Sequence, residues 1–201
     1  MTVKTDPSLY SSGFERNALD RYWTGAQEAA AIARRIPAGV TTIWEPCAGR
    51  GDLVKVLQDF GYQTFASDID LSEFDPSICQ AEQCDFLKDT PEFVTFEQID
   101  MIVTNPPFRD NAERVVRRAL EYQNIRAFAF LLRSEWNSAK SRVDLFEDQP
   151  FMKEVLLTWR PRWDWWFRDK PEASPRHNFS WFVWDRAHLS ASTQEWARRK
   201  E

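Results

Sequence analysis

Cysteine, histidine and glycine are scarce in this sequence, with 3 Cys, 2 His and 6 Gly among 201 residues. The cysteines Cys47, Cys79 and Cys84 show no spacing typical of metal ligands, and His177 and His188 lie far along the chain from them. An odd number of cysteines outside such a pattern argues against a disulfide framework and against a zinc site. We therefore expect reduced thiols and no bound metal.

Long apolar runs are also missing. No stretch approaches the roughly 20 residues of a membrane span, and residues 1–10 lack the basic-then-apolar pattern of a secretory signal. With 43% hydrophobic and 28% charged residues, the chain is long enough to bury a sizeable core. These features predict a single domain over residues 1–201, cytoplasmic and without a membrane partner.

The sequence has no net positive charge, but its charges are unevenly distributed. The net charge is -5, with -9 in residues 1–100 and +4 in residues 101–201. A negative total argues against a protein that coats a polyanion over its whole surface. Contacts with a polyanion should fall mainly in the second half, although solvated helix faces of uneven charge would give the same pattern.

Helices and strands alternate along the predicted chain. Apolar periodicity, with Gly and Pro between segments, predicts helices at residues 27–36, 52–60 and 111–122, a loop and helix around 134–146, and a helix at the chain end. Apolar runs predict strands at residues 41–45, 63–67, 80–84, 100–104, 125–132, 153–159 and 179–184. This order predicts a doubly wound α/β sheet, mostly parallel and seven-stranded, with helices on both faces and ligands at the carboxyl ends of the strands.

A glycine-containing turn follows the first predicted strand. It passes from Glu45 through Pro46, Ala48 and Gly49 to Gly51 and leads into the next helix. Small residues there let the backbone approach a ligand, and the helix N-terminus offers free amide donors. A tight turn without any ligand would have the same sequence.

Acidic residues follow the next two predicted strands. Asp68 comes about 20 residues after the glycine turn, where an acidic side chain accepts hydrogen bonds from ribose hydroxyls. Asp85 ends the third strand, where it would accept from an adenine amine while Phe86 packs on the ring. A dinucleotide site would also place an acid here, but the third glycine that it usually shows is missing. Helix capping or turn formation would equally explain either acid.

The most informative segment is Asn105-Pro106-Pro107-Phe108, directly after the apolar strand at residues 100–104. Proline has no amide proton and a fixed φ, so two in succession hold the loop in one shape and leave carbonyl oxygens free to accept. The side-chain oxygen of Asn105 and the carbonyl of Pro106 would each accept one N–H of a planar amine. Phe108 would stack on a base, a contact worth about 1–3 kcal/mol. A rigid turn out of the strand is the alternative.

Together these motifs resemble those of the class I S-adenosylmethionine-dependent amino-methyltransferases, in particular the N6-adenine DNA methyltransferases. The resemblance spans most of the chain and implies the Rossmann-like class I methyltransferase fold with S-adenosylmethionine as cofactor. In that family the quartet is Asn, Asp or Ser, then Pro-Pro, then an aromatic residue, and Asn favours adenine over cytosine. It implies catalytic roles for Asn105, Pro106, Pro107 and Phe108, and cofactor binding by Glu45, Pro46, Ala48, Gly49, Gly51, Asp68, Ile69, Asp85, Phe86 and Asn105.

A segment before the first helix also resembles the family. Tyr22 and Thr24 match a Tyr-x-Thr-Pro-like stretch that touches the cofactor, with Gly25 in place of the proline. The reaction needs no metal, because the sulfonium is already an activated leaving group, and positioning should dominate the rate. A DNA duplex would have to flip its adenine out. The implied parts are the N-terminal segment and first helix (1–36), the cofactor-binding and catalytic-loop half (37–110) and the sheet-completing half (111–201).

The second half of the chain contains the candidate nucleic-acid contacts. Six of the ten tryptophans lie between Trp159 and Trp184, interleaved with cationic residues. Aromatic and cationic side chains together form stacking and phosphate-binding surfaces. Trp159, Trp181 and Trp184 fit core strands, so we expect DNA, or RNA, to contact the loop at 160–178 and two further arginines. The candidates are Arg109, Arg133, Trp163, Trp165, Trp166, Arg176 and His177.

Three alternatives stay open. The quartet would equally hold an adenine of RNA or a glutamine side chain of a protein, because both present a planar amine or amide. The basic, tryptophan-rich second half favours nucleic acid, and the lack of an added RNA-binding module favours DNA. An inactive cofactor-binding scaffold is the third alternative, against which the intact quartet, Asp68 and Asp85 argue. The length leaves little room for target recognition, which should be short or relaxed, or supplied by a partner chain.

Overall fold

A computed structural model describes residues 22–108, 110–162 and 175–199. Its helices are α1 (Ala26–Ala33), α2 (Asp52–Asp59), α3 (Asp110–Leu120) and α4 (Val143–Glu147). Its strands are β1 (Thr42–Glu45), β2 (Gln63–Asp68), β3 (Ala81–Gln83), β4 (Met101–Thr104), β5 (Ala127–Arg133), β6 (Phe151–Leu157), β7 (Phe179–Asp185) and β8 (Thr193–Ala197). None of the helices in this part of the chain is long and apolar enough to cross a membrane.

The eight strands of the described chain form one sheet in the order β3-β2-β1-β4-β5-β7-β6-β8. The first five of these strands are mutually parallel, β7 runs antiparallel between β5 and β6, and β8 is parallel to β6. The chain order reverses between β1 and β4, which is the switch point where such sheets bind ligands. The predicted α/β class is confirmed, with one strand more than expected.

Alternating side chains give the sheet two apolar faces. In β5, Ala127, Ala129 and Leu131 belong to the same core as α1 and α2, whereas Phe128 and Phe130 pack with α3 on the other side. All five side chains are fully buried. Successive residues of a strand point to opposite faces, so a strand covered by helices on both sides is apolar throughout. This is the physical origin of the uninterrupted apolar run in the sequence.

The tryptophans of β7 tie the sheet to helices on opposite faces. Trp181 Nε1 donates to the Glu28 carbonyl in α1 (2.8 Å), and Trp184 Nε1 donates to the Leu145 carbonyl in α4 (2.7 Å). Trp159 is partly buried and donates to Glu28 Oε1. Each indole therefore buries a large apolar surface without leaving its N–H unpaired. The expectation that these tryptophans belong to core strands is confirmed for Trp181 and Trp184, whereas Trp159 is partly buried and follows the end of β6.

The end of the chain differs from the prediction. Residues 193–197 form strand β8, and the terminal helix predicted there is wrong. β8 pairs in parallel with β6, from Lys153 opposite Thr193 to Leu157 opposite Ala197. The strand forms because the free edge of β6 offers backbone hydrogen-bond partners, which local sequence does not reveal. The other predicted helices and strands are present, with boundaries shifted by a few residues.

Candidate active site

A cavity of about 260 Å³ opens at the carboxyl ends of β1, β2, β3 and β4. It lies at the switch point of the sheet, as expected for a doubly wound fold. Four neighbouring strands therefore deliver their following residues to one place. The cavity brings together most of the residues singled out in the sequence, namely Tyr22, Thr24, Glu45, Pro46, Ala48, Gly49, Asp68, Ile69, Asp85, Phe86, Asn105, Pro106 and Pro107.

The glycine turn after β1 is held to the end of β2 by Asp68. The Gly49 amide donates to Asp68 Oδ2 (2.8 Å), and the Asp70 amide donates to Oδ1 (3.0 Å). Gly49 has φ +53°, which a glycine adopts readily. Asp68 is 7% exposed, so two backbone amides orient a nearly buried carboxylate. A carboxylate oxygen has more than one lone pair, so Asp68 can accept further hydrogen bonds from a ligand.

Gly51 differs from the other residues of this turn, because it is not part of the cavity lining. It caps the N-terminus of α2 with φ +90°. A Cβ atom here would lie 2.6 Å from Ile78 Cδ1 and 3.1 Å from Phe74 Cε2. The structure thus gives Gly51 a role in the turn and its packing, where the family resemblance implied contact with the ligand.

Glu45, the last residue of β1, is a buried carboxyl group. It is 2% exposed, and its Oε1 accepts a hydrogen bond from the Cys47 amide (3.0 Å). Burial raises the pKa of Glu45 to about 8, and the Asp68 carboxylate adds to the increase. Burial favours the neutral acid, whereas a cation in the cavity would favour the carboxylate. The charge of Glu45 is therefore sensitive to what the cavity holds.

The residues after β2 and β3 form an apolar slot with a carboxylate beside it. Asp85 Oδ1 accepts from the Leu87 amide (3.1 Å), and Lys88 Nζ lies 2.7 Å from Oδ2 and lowers the pKa of Asp85. Phe86 is 4% exposed, whereas Ile69 is 49% exposed although it is a large aliphatic residue at the cavity. Apolar side chains next to a hydrogen-bond acceptor suit a planar heterocycle that has an exocyclic amine.

Asn105 follows β4 and has a defined amide orientation. Its Nδ2 donates to the Tyr22 carbonyl (2.7 Å). A carbonyl oxygen can only accept, so this contact places the NH₂ group toward Tyr22 and identifies the other atom as the oxygen. Asn105 Oδ1 is buried and has no hydrogen-bond partner among the described residues. Such an acceptor costs about 1–3 kcal/mol when unsatisfied and is expected to receive a donor from a ligand.

Phe108, the last residue of the predicted quartet, lies beside the cavity and is not part of its lining. Its ring is 4.7 Å from the Tyr22 ring and 5.6 Å from the Phe179 ring, centroid to centroid. The side chain is partly buried. The first three residues of the quartet, Asn105, Pro106 and Pro107, line the cavity. The Phe108 ring instead packs against the rings of Tyr22 and Phe179.

Sequence reasoning missed several residues that line the cavity. Trp23 lies between Tyr22 and Thr24, which the family motif pointed to, and a second aromatic residue in that segment was a signal that could have been used. Asp52, an acid in the first turn of α2, was another. The remaining residues lie in the turn after β1, on α2, on α3 or in the loop after β3, where only the fold shows which side chains face inward. The missed residues are Trp23, Cys47, Asp52, Leu53, Cys84, Leu87, Asn111 and Val115.

Carboxyl groups dominate the charge of the lining, which contains Glu45, Asp52, Asp68 and Asp85. These acids favour a ligand that has positive charge, and such a ligand would also favour the ionised form of the otherwise neutral Glu45. The two lining thiols add no anion, because burial raises the pKa of Cys47 and of Cys84. In the described part of the chain, no three His, Cys, Asp or Glu side chains are grouped so that they could hold a metal ion.

A group of cationic side chains, here called the basic cluster, lies at the same edge of the sheet. Arg133 ends β5 opposite Phe179, and Arg160, Arg176 and His177 are exposed close to it. Arg160 Nε donates to Asn178 Oδ1 (3.0 Å), which brings Arg160 next to the His177 segment. Burial and the positive charge of the three arginines lower the pKa of His177, and Glu135 opposes this shift. The predicted contacts Arg133, Arg176 and His177 are thus neighbours. Arg109, Trp163, Trp165 and Trp166 lie outside the described residues.

Known proteins share the fold of this chain but little of its sequence. Neither a protein-family model nor a curated protein sequence matches it. The methyltransferase subunit of a type I restriction-modification system from Streptococcus thermophilus has a TM-score of 0.61 at 11% identity, over 84% of this chain and 45% of that one. A candidate RNA methyltransferase from Pyrococcus horikoshii has a TM-score of 0.60 at 13% identity, over 83% of this chain and 87% of that one. The 23S rRNA methyltransferase ErmE has a TM-score of 0.55 at 18% identity, over 85% of this chain and 73% of that one.

These likenesses establish the fold. The chain has the Rossmann-like α/β fold of methyltransferases, as the sequence motifs led us to expect. It spans less than half the length of the first of the three structures, 45% of that chain. Identities of 11% to 18% show the fold alone, so activity and substrate have to be argued from the residues of the cavity.

Proposed function

We propose that this protein transfers a methyl group from S-adenosylmethionine to the exocyclic N6 amine of adenine in DNA, with short or relaxed sequence recognition. The main support is Asn105 Oδ1, a buried acceptor without a partner among the described residues, on a residue that lines a cavity in a methyltransferase fold. The contact between Asn105 Nδ2 and the Tyr22 carbonyl keeps this oxygen available as an acceptor. An amine with two protons is the complementary group.

The lining of the cavity fits the proposed cofactor. Asp68 offers carboxylate oxygens to ribose hydroxyls, and Asp85 with Phe86 and Ile69 offers an acceptor and apolar surface to the adenine ring. The four lining carboxyl groups complement a ligand with a sulfonium and an ammonium. When bound, S-adenosylmethionine supplies a methyl group that is already activated for transfer.

The residues of the quartet would position the target amine. Asn105 Oδ1 and the Pro106 carbonyl would each accept a hydrogen bond from one N–H of the amine. These two hydrogen bonds direct the nitrogen lone pair away from the ring plane. Proline provides no amide N–H to compete for the acceptors, and its fixed φ keeps the loop in shape. No strong base is needed, because the amine loses its proton after the attack. Positioning therefore accounts for most of the catalysis by these residues.

The basic cluster supports nucleic acid as the substrate. Arg133 lies at the same sheet edge as Asn105 and shares it with Arg160, Arg176 and His177. Cationic side chains next to a catalytic loop attract phosphates and orient a strand over the cavity. Two of the similar structures are named as the methyltransferase subunit of a restriction-modification system and as a 23S rRNA methyltransferase, which fits a nucleic-acid substrate. We favour DNA as the substrate. The chain matches only 45% of the restriction-modification subunit, and we propose that a partner chain supplies target recognition.

The proposal is tested by identifying the methylated product. The purified protein is incubated with labelled S-adenosylmethionine and, separately, unmethylated duplex DNA, single-stranded DNA and total RNA, and nucleosides are then analysed by mass spectrometry. The variant Asn105→Ala removes the acceptor. Asn124→Ala is the matched control, since Asn124 is exposed in the loop between α3 and β5, away from the cavity. We expect N6-methyladenine in DNA with the wild type and the control, and at least about 100-fold less with Asn105→Ala.

Other outcomes would assign the chain differently. Label found only in RNA would keep the fold and the mechanism and replace the substrate. If no nucleic acid is labelled but glutamine is labelled in a parallel incubation with a cell protein extract, nucleic acid is removed from the proposal. Binding of S-adenosylmethionine without methylation of any substrate would favour a scaffold subunit.

A further inference from the structure

Trp23 has a buried indole N–H for which the described residues provide no hydrogen-bond acceptor. Its indole lines the cavity, and its Nε1 is buried without a hydrogen-bond partner among the described residues. A buried indole N–H normally has an acceptor, because burying it unpaired costs free energy. Trp181 and Trp184 follow that rule, with acceptors at 2.8 and 2.7 Å. The exception at Trp23 therefore indicates that an acceptor comes from the ligand.

The surroundings of Trp23 place this donor at the glycine turn. A Cβ atom at Gly49 would lie 3.3 Å from Trp23 Cδ1 and 3.8 Å from its Nε1. The absence of a side chain at Gly49 thus leaves room for the indole against the backbone that follows β1. Asp85 and Phe86, in contrast, lie after β3, two strands away in the sheet. The Trp23 donor is consequently at the end of the cavity opposite the proposed adenine slot.

A positive charge lies directly on the Trp23 ring. The Arg50 guanidinium carbon is 4.1 Å from the ring centroid, a cation–π contact. Arg50 Nε also donates to Asp52 Oδ2 (3.0 Å), which holds the guanidinium in place over the indole. The cation polarises the ring and strengthens the N–H as a donor to an anion. In a cavity lined by four carboxyl groups, this pair is a local site of opposite character.

We infer that Trp23, with Arg50 on its ring, binds the carboxylate of the amino-acid end of the cofactor. The inference rests on the proposed cofactor, S-adenosylmethionine, and assigns one of its groups to Trp23, the variable position between Tyr22 and Thr24. The carboxylate is the only anionic group of that molecule, and Asp68 and Asp85 would repel it elsewhere in the lining, whereas Asp52 is paired with Arg50. Trp23 Nε1 gains the acceptor that it lacks, and the Arg50 charge offsets the repulsion.

The experiment compares two ligands that differ by the carboxylate alone, S-adenosylmethionine and decarboxylated S-adenosylmethionine, by titration calorimetry. Trp23→Phe keeps an aromatic ring under Arg50 and removes the N–H. Trp196→Phe is the matched control, because Trp196 is 56% exposed on β8 at the far edge of the sheet. We expect Trp23→Phe to weaken binding of S-adenosylmethionine about tenfold or more, as loss of a hydrogen bond to a charged group does, and binding of the decarboxylated ligand less than about twofold.

A second variant keeps the test decisive if thermal unfolding shows that Trp23→Phe is poorly folded. Arg50→Met leaves the indole N–H in place and removes the charge, and it should weaken only the carboxylate-bearing ligand. Equal weakening of both ligands by these variants, or no weakening of either, would refute the role of Trp23 while leaving the proposed function intact. If the wild type binds neither ligand, the proposed cofactor is wrong, and the inference fails with it.

Discussion

Asn105 and Tyr22 are joined by a hydrogen bond of 2.7 Å from the asparagine Nδ2 to the tyrosine carbonyl. The same tyrosine also reaches the other end of the quartet, because its ring lies 4.7 Å from the Phe108 ring. Residue 22 therefore contacts both outer members of the catalytic loop, although 83 positions separate it from Asn105. The segment before α1 helps to set the shape of the loop after β4.

Tyr22→Ala should lower kcat more than it weakens cofactor binding. The substitution removes the ring that packs against Phe108, and the backbone carbonyl loses the anchor that aligns it with Asn105. We expect kcat to fall about tenfold or more, because small displacements of positioning groups are costly. The dissociation constant for S-adenosylmethionine, measured by calorimetry, should change less than about threefold.

Tyr22→Phe is the control for this prediction. It keeps the ring and the carbonyl, so its kcat should stay close to that of the wild type. A Tyr22→Ala protein that loses cofactor affinity as strongly as kcat would instead place Tyr22 in the cofactor site.

The pKa of Glu45 predicts that stability falls with rising pH. In the folded protein this pKa is about 8, whereas the ordinary pKa of a glutamate is 4.5. Between these values the folded state binds the extra proton. The contribution of neutral Glu45 is therefore fully present below about pH 4.5 and is lost as the pH rises through about 8.

Glu45→Gln isolates this effect, because glutamine cannot ionise and still offers an oxygen to the Cys47 amide. Urea unfolding of both proteins without ligand should show the wild type losing stability relative to the variant from about pH 5 to about pH 8. Parallel pH profiles for the two proteins would mean that Glu45 titrates normally in the folded state.

Gly51 and Gly61 form a matched pair for testing backbone strain against steric contact. Their φ angles are +90° and +89°. A Cβ atom at Gly51 would lie 2.6 Å from Ile78 Cδ1, whereas one at Gly61 would have nothing within 4 Å. We expect Gly61→Ala to cost about 1 kcal/mol of unfolding free energy from the positive φ, and Gly51→Ala to cost about 1–3 kcal/mol more from overpacking. Equal losses in denaturant unfolding would show that Ile78 moves away at no cost.

The basic cluster predicts how nucleic-acid binding depends on salt. The double variant Arg133→Gln/Arg176→Gln removes two exposed cations at the sheet edge. If both contact phosphates, the slope of log K against log salt concentration should become shallower by about 1–2, because fewer counterions are released. This slope is measured by fluorescence anisotropy, with a labelled oligonucleotide titrated at several salt concentrations from low to moderate.

Arg34→Gln is the control for the cluster. Arg34 follows α1 and lies over the Phe60 ring, before the amino end of β1 and away from the cavity. For the Arg34→Gln variant, the slope of log K against log salt concentration should equal that of the wild type. A double variant whose slope is unchanged would remove Arg133 and Arg176 from the nucleic-acid interface.

Local patterning was sufficient to predict the sheet and the strand-end residues. Apolar runs such as residues 127–132 indicate strands covered on both faces, and each acid or amide that follows such a run must lie at the same edge of a parallel sheet. Asp68, Asp85 and Asn105 could therefore be placed near one another from spacing alone. The same reasoning failed at residues 193–197, since β8 exists because of the open edge of β6, a partner distant in the sequence.

Only the tertiary structure decided what each of these side chains meets. The free oxygen of Asn105 follows from a carbonyl at Tyr22, the raised pKa of Glu45 follows from complete burial, and the unpaired N–H of Trp23 follows from its packing at Gly49. Periodicity and turn preferences depend on neighbours in the chain, so they predict helices, strands and their succession along the chain. Hydrogen-bond partners, desolvation and cavity shape depend on residues that are far apart in the chain, and these contacts exist only once the sheet has formed.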